Sequence, residues 1–253
     1  MLNCLRRSYG RFIRISSCSG LILIIALAGM SMISQSGCAK KKKVALTPVT
    51  GVRLALLPFS VPTGNKDLRW AALAAPVMMA KVSEYSKDVE IMPLWQSMPI
   101  ALEAAGASRS LAADSAAYIA SWLAAKWSVM GEITPTKNGV SFMIDIIPDR
   151  STQVPFRFSK SGEIDGVAAQ IPLAYNQFFY YLGTRKLAPI DKKLPTLTSM
   201  KSVAEALDRE YGWFVEAEPG KAQQVVASLA STDMRLARLL FNPSLYPVLA
   251  QTK

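Results

Sequence analysis

The stretch from Trp127 to Ile146 leaves few folds open to this 253-residue chain. Trp127-Ser128-Val129-Met130-Gly131-Glu132-Ile133 runs into Asn138-Gly139, after which Val140, Phe142, Ile144 and Ile146 alternate with Ser141 and Asp145. Alternate residues of a strand point to opposite faces, and Asn-Gly suits a two-residue hairpin turn. The pattern predicts two adjacent antiparallel strands turning at Asn138-Gly139, with an apolar face that must be covered. A third strand, Gln153 to Ser159, alternates Val154, Phe156 and Phe158 with Pro155 and Arg157. Proline cannot donate to a ladder, so this strand belongs at or near an edge.

Helical periods surround these strands. Gly51 to Phe59 reads as a largely buried strand ended by Pro58, and a loop with Pro62, Gly64 and Asn65 follows. Ala71, Ala74, Ala75, Met78, Val82 and Tyr85 recur at helical spacing from about Leu68 to Tyr85, with Pro76 as an expected kink. Val89 to Pro93 reads as a short strand, Pro99 to Ala105 as a short helix, and Leu111 to Lys126 as an alanine-rich helix. A further helix runs to about Leu182, its Pro172 marking either a late start or a bend. The expected fold class is α/β: a mixed sheet with flanking helices over residues 51–183. A proline-containing linker, 184–198, leads to a helical appendage over 199–253. That appendage reads as Val203 to Glu216, then a helix opened by Pro219, then Met234 to Phe241. Tyr211 and Tyr246 lie 35 residues apart, near the tetratricopeptide period, but a single copy makes no repeat.

The amino terminus is of a different kind. Arg6, Arg7, Arg11 and Arg14 precede Leu21 to Ala28, and small residues lead to Gly37-Cys38. A basic head, an apolar middle and a small-residue exit make a secretory signal peptide, here 1–37. The apolar run from Gly20 to Ile33 holds 14 residues, short of the roughly 20 that span a bilayer as a helix. Gly before Cys is the exit of a lipoprotein signal, whose cysteine thiol takes the diacylglycerol. Cys38 is therefore the expected lipidation site, although Gln35 stands where such signals usually carry an apolar residue. Plain cleavage and a retained inner-membrane anchor are the alternatives. The anchor has basic residues on both flanks, against the preference of such charges for one side. Residues 38–50, with Lys40 to Lys43 and Pro48, read as a lipidated cysteine and basic tether. Each of those lysines adds about 1 kcal/mol of attraction at an anionic surface, or serves only as a solvated spacer.

Charge and composition exclude whole classes of chemistry. The 29 Lys+Arg and 18 Asp+Glu give +11; without the four leader arginines the balance is +7, and without Lys40 to Lys43 it is +3. A mildly basic folded part argues against nucleic acid. There is no histidine, and no cysteine follows Cys38. Cys/His zinc sites, Ser-His-Asp triads and Cys-His nucleophiles are thereby removed, and no metal or other cofactor is expected. Carboxylate-pair hydrolysis survives this exclusion. Its candidates are Asp145/Asp149, Glu163/Asp165 and Glu216/Glu218, each of which also suits a turn, a cap or a polar strand face. Pro58 to Lys66 has one glycine and two prolines, so its amides cannot form a phosphate-binding cradle. No paired membrane strands of a pore are visible.

"RLALLPF" (Arg53 to Phe59), "AAKWSVMGEI" (Ala124 to Ile133), the Asn-Gly hairpin and "VSFMIDIIPDRS" resemble the amino-terminal domain of TolB. They are similar too to related periplasmic lipoproteins: the curli-secretion and flagellar lipoproteins and the activators of penicillin-binding proteins. The resemblance covers roughly residues 51–183. Ser151-Thr152-Gln153 departs from it, standing where the family often has Thr-Gly. It implies a TolB amino-terminal-like, anticodon-binding-like fold and a noncatalytic module that binds other envelope proteins. It transfers no catalytic residue. It also implies the periplasmic face of a membrane, with Ala39 after the cysteine compatible with the outer one.

A binding role is carried by Tyr175-Asn176-Gln177-Phe178-Phe179-Tyr180-Tyr181, which spreads aromatics over more than one helix face. Tyr175, Phe179 and Tyr180 are the candidate contacts for an envelope partner or a second copy of the chain. The alternative buries both faces between the sheet and the helical appendage. Trp70, Trp95 and Trp122 are expected to be core or half-core.

Overall fold

A computed structural model describes residues 51–86, 88–149, 154–182, 194–214 and 221–250. The signal peptide, Cys38, the tether, Ser151 to Gln153, most of the linker and the Pro219 helix start lie outside the described residues.

The apolar strand near residue 51 becomes β1 (Val52–Leu56), which is flanked on both sides by parallel partners. These are β2 (Val89–Met92) and β3 (Trp127–Thr136). The hairpin continues the sheet antiparallel through β4 (Gly139–Pro148) to β5 (Phe156–Gly162), giving the order β2-β1-β3-β4-β5. The third strand is thus an edge, as its proline requires. It begins after Pro155.

Register decides which residues share a face. Val129, Gly131 and Ile133 lie opposite Ile146, Ile144 and Phe142, and Phe156 and Phe158 extend that row on β5. Thr136 pairs with Gly139, so the loop residues are Lys137 and Asn138, one earlier than the Asn-Gly pattern suggests. The glycine is needed in the ladder instead: its φ is +137°, and an added Cβ would lie 2.3 Å from the Gly162 carbonyl oxygen.

Two helices cover the apolar row. In α1 (Arg69–Ser83) nearly every side chain is buried, as a helix apolar all round requires. Pro76 leaves the Ala72 carbonyl without its helical donor, and the amide of Phe59 donates to that oxygen at 3.0 Å. The expected kink residue therefore makes room for a bond that docks the chain leaving β1. Beside α1, α4 (Ile164–Ala168) is followed by α5 (Ile171–Tyr181), whose Pro172 sits in its first turn, the late start rather than the bend. Phe178 of α5 meets Trp127 edge-on at 5.2 Å and Phe156 at 5.8 Å.

The opposite face meets α3 (Ala113–Trp122), which packs on β3 and β4. This helix is shorter than its alanine pattern suggests. Ala124 adopts φ +53° and the Ala125 amide donates to the Ala120 carbonyl at 2.9 Å, a left-handed stop without a glycine to announce it. α2 (Leu94–Ala105) starts five residues earlier than Pro99 suggests, because Ser97 anchors its first turn by donating to the Leu56 carbonyl at 2.8 Å.

The carboxy-terminal helices join the same core. α6 (Lys201–Tyr211) packs along α1 and stops at Gly212 (φ +63°), short of Glu216. It is followed by α7 (Lys221–Thr232), α8 (Met234–Leu240) and α9 (Pro247–Ala250). Lys81 of α1 bonds both Glu84 (2.7 Å) and Asp233, which caps α8 by accepting from the Leu236 amide. Tyr211 donates to the Leu240 carbonyl at 3.2 Å, and Tyr246 donates to Glu210. All described residues belong to one compact unit, an α/β fold with a mixed, open five-stranded sheet and flanking helices.

Candidate functional site

The structure divides the three candidate aromatics of α5. Tyr175 and Phe179 are fully buried and only Tyr180 reaches solvent, at 81% exposure. The expectation that Tyr175 and Phe179 contact a partner is therefore corrected. With Ile171, Ala174 and Phe178 they form the stripe that faces the sheet and α1. The Tyr175 ring stacks near Phe179 at 6.1 Å, and its hydroxyl donates to the Met79 carbonyl at 3.1 Å. Burial pushes the ionisation of this phenol far above its ordinary value of 10.0. Tyr181, at the end of the helix, donates to the Val154 carbonyl at 2.9 Å and lies against Phe156.

A second aromatic pair was missed from sequence. Tyr118 and Trp122 are 63% and 64% exposed on α3, so Trp122 is neither core nor half-core. They are four residues apart and share a helix face, because Ala116, Ile119, Ala120 and Leu123 take the face against the sheet. The signal was present in that spacing. It is muted because half of the buried stripe is alanine, which does not stand out in an alanine-rich helix. Trp70 and Trp95 are half-buried as expected, Trp70 carrying the Lys201 ammonium 5.6 Å from its ring.

One member of each described acidic pair is bonded within the fold. Asp145 is buried on the polar face of β4 and accepts two bonds from the directly opposite Arg157, at 2.6 and 2.8 Å. Asp165 accepts from the amide of Thr198 at 2.8 Å and so ties the start of the α6 region to α4. Glu163 stands at the N-cap position of α4 without a capping bond from its side chain, and Glu216 and Glu218 lie outside the described residues. Among the described residues there is no group of three or more Cys, Asp or Glu arranged to hold a metal ion. Nor is any helix among them long and apolar enough to cross a membrane.

Two open clefts lie away from the aromatic pairs. One, of about 400 Å³, separates the start of α1 from α6 and sets Lys66, Arg69 and Lys201 against Asp67, Glu205 and Asp208. The other, of about 510 Å³, lies between the start of α3 and the polar face of β3 to β5, floored by Met130, Ile147 and the Asp145–Arg157 pair.

No family model matches the sequence, and no curated protein matches it. Among solved structures the chain is similar to TolB from Acinetobacter baumannii, with 15% identity over 55% of this chain and a TM-score of 0.34. It spans 30% of the length of that TolB. It is similar also to the LpoB C-terminal domain from Salmonella enterica, with 8% identity, 45% of this chain and 84% of that one covered, and a TM-score of 0.33. A PelC dodecamer from Paraburkholderia phytofirmans matches at 13% identity over 56% of this chain and 93% of that one, with a TM-score of 0.32.

Proposed function

We propose that this chain is a noncatalytic cell-envelope lipoprotein, held to a membrane by acyl chains on Cys38, whose folded part binds another envelope protein. The observation that carries the reading is Gly37-Cys38 at the end of a basic, then apolar, then small-residue leader, with Ala39 and then four lysines after it. Lipidation removes the last thiol, in keeping with a domain that reaches its stability through one large core rather than disulfides. The periplasmic side of the outer membrane is the place this reading assigns. The engagement of Asp145 and Asp165 in structural bonds supports a binding role over hydrolysis.

The contact surface in this reading is the outer face of α3. Tyr118 and Trp122 together expose two large amphipathic rings one helical turn apart, the residue types that dominate interface energetics. Tyr180 supplies a further exposed ring on α5. A photoreactive amino acid placed at Tyr118 or Trp122 should crosslink a discrete envelope protein in intact cells, while the same group at exposed Glu103 should not. A product of twice the chain mass would make the partner a second copy. Equal crosslinking at all three positions, or none at any, would contradict this surface.

A further inference from the structure

We infer that the cleft at the carboxyl end of β1 binds a phosphoryl group. The inference is independent of lipidation and of the α3 surface. The chain leaves β1 through a loop toward α1, and leaves α2 through a turn at Gly106–Ser108; the two segments meet around a cleft of about 260 Å³. Arg69 and Arg109 line it together with Asn65, Ser108 and Phe214. In α/β sheets the carboxyl end of the strand from which connections diverge is where ligands gather. β1 is that strand here, with β2 on one side and β3 on the other.

Charge gives the cleft its chemistry. Two guanidinium groups line it and no carboxylate does. Among the described residues neither arginine takes part in a salt bridge. Each instead lies over an aromatic ring: Arg69 is 5.6 Å from the centre of Phe214 and Arg109 is 6.0 Å from that of Trp213. A guanidinium whose charge is set against a ring rather than a carboxylate keeps N–H donors for an oxyanion. Arg109 uses one nitrogen to donate to the Gly106 carbonyl at 3.1 Å. Its backbone sits at φ +51°, a conformation glycine would adopt without cost, yet the residue there is the one that brings a cation.

The platform beneath them is fixed. Gly212 turns the chain out of α6, Trp213 is fully buried, and the Phe214 amide donates to Asp208 at 2.7 Å. The acids closest in sequence and space, Asp67, Glu205 and Asp208, line the adjoining cleft, with Lys66, Lys201 and Arg69, which borders both clefts. Over the two clefts together Lys66, Arg69, Lys201 and Arg109 exceed Asp67, Glu205 and Asp208 by one positive charge, and both guanidinium groups stand at the mouth that holds no carboxylate. A phosphoryl group has oxygens enough to take a bond from each guanidinium at once, whereas a carboxylate is filled by one. The side-chain forks take the place of the amide cradle that Pro58 and Pro62 deny to this loop.

Titration of inorganic phosphate into the full-length protein in detergent, at constant ionic strength, tests the site by amide NMR. Saturable shifts are expected at the amides of Val61, Thr63, Gly64 and Asn65 and of residues 107–109, and Arg69→Gln or Arg109→Gln should weaken binding about tenfold or more with an unchanged circular dichroism spectrum. Glycerol 1-phosphate in place of phosphate separates the sources: tighter binding places the phosphoryl group on a lipid or glycan, equal binding makes it the free ion. Acetate or chloride producing the same shifts, no saturable shift with phosphate, or full affinity in both folded variants would overturn the assignment. Should a variant fail to fold, the location of the shifts in the parent protein decides.

Discussion

Gly131 is kept bare by its neighbours. An added Cβ would lie 2.2 Å from the Met143 carbonyl oxygen and 2.4 Å from the Phe59 ring, which itself stacks on Phe142 at 5.3 Å. Alanine at this position forces β3 from β4 or Phe59 from its place. Gly131→Ala should lower stability by about 2–3 kcal/mol in urea denaturation, and a change below about 0.5 kcal/mol would show that this packing is loose. In sequence the glycine reads only as a weak point in a strand, because nothing local reveals a ring arriving from residue 59. Trp122 and Tyr175 exchange their expected places for a related reason. Size and apolarity are properties of a residue, whereas the side of the helix that meets the sheet is set by the apolar residues three and four positions away.

The helices show which parts of a sequence speak locally. The hairpin strands and the edge position of β5 follow from period-two alternation and one proline, and the sheet has both. Helix ends follow less well: α3 stops at an alanine in a left-handed conformation, where the usual glycine signal is missing. Pro76 reads as a defect until the Phe59 amide is seen to use the Ala72 oxygen it leaves open. Long-range ties such as Lys81 to Asp233, 152 residues apart, have no local signature at all. That tie is half-buried, and it clamps α1 to the capped start of α8. Burial works against the Lys81 charge, but its bonds to Asp233 and Glu84 outweigh this and raise its pKa above the ordinary 10.5. A double-mutant cycle with Lys81→Met and Asp233→Asn should return a coupling of about 1 kcal/mol. Additive effects would mean that the two helices are held by apolar contact alone.

At the scale of the whole molecule, burial also sets the pH range of stability. Burial raises the ionisation of Tyr175, Tyr211 and Tyr246 above the ordinary 10.0, with Glu210 adding to the effect at both Tyr211 and Tyr246. Each phenol therefore stays protonated in the folded protein after its unfolded counterpart has ionised. Lys81 adds to this sign, its charge persisting in the folded state above pH 10.5. Stability from these groups is fully present below pH 10 and falls as pH rises through their folded values, with a limiting slope of about 1.4 kcal/mol per pH unit for each group. Urea midpoints should hold steady from pH 7 to about pH 9.5 and then drop, and Tyr175→Phe should make the drop shallower. A midpoint that rises above pH 10 would contradict the burial of these groups.

The central claim concerns where the chain is cut and what it carries. The fold explains how a core without disulfides can hold exposed rings and a cationic cleft in place, while the proposed leader would set where such a module works. Intact mass spectrometry of the protein purified from cell membranes tests this most directly. The account predicts a mature chain beginning at Cys38 whose mass exceeds that of residues 38–253 by a diacylglycerol and its acyl complement. A chain that retains Met1, or one that begins with an unmodified residue, would contradict it.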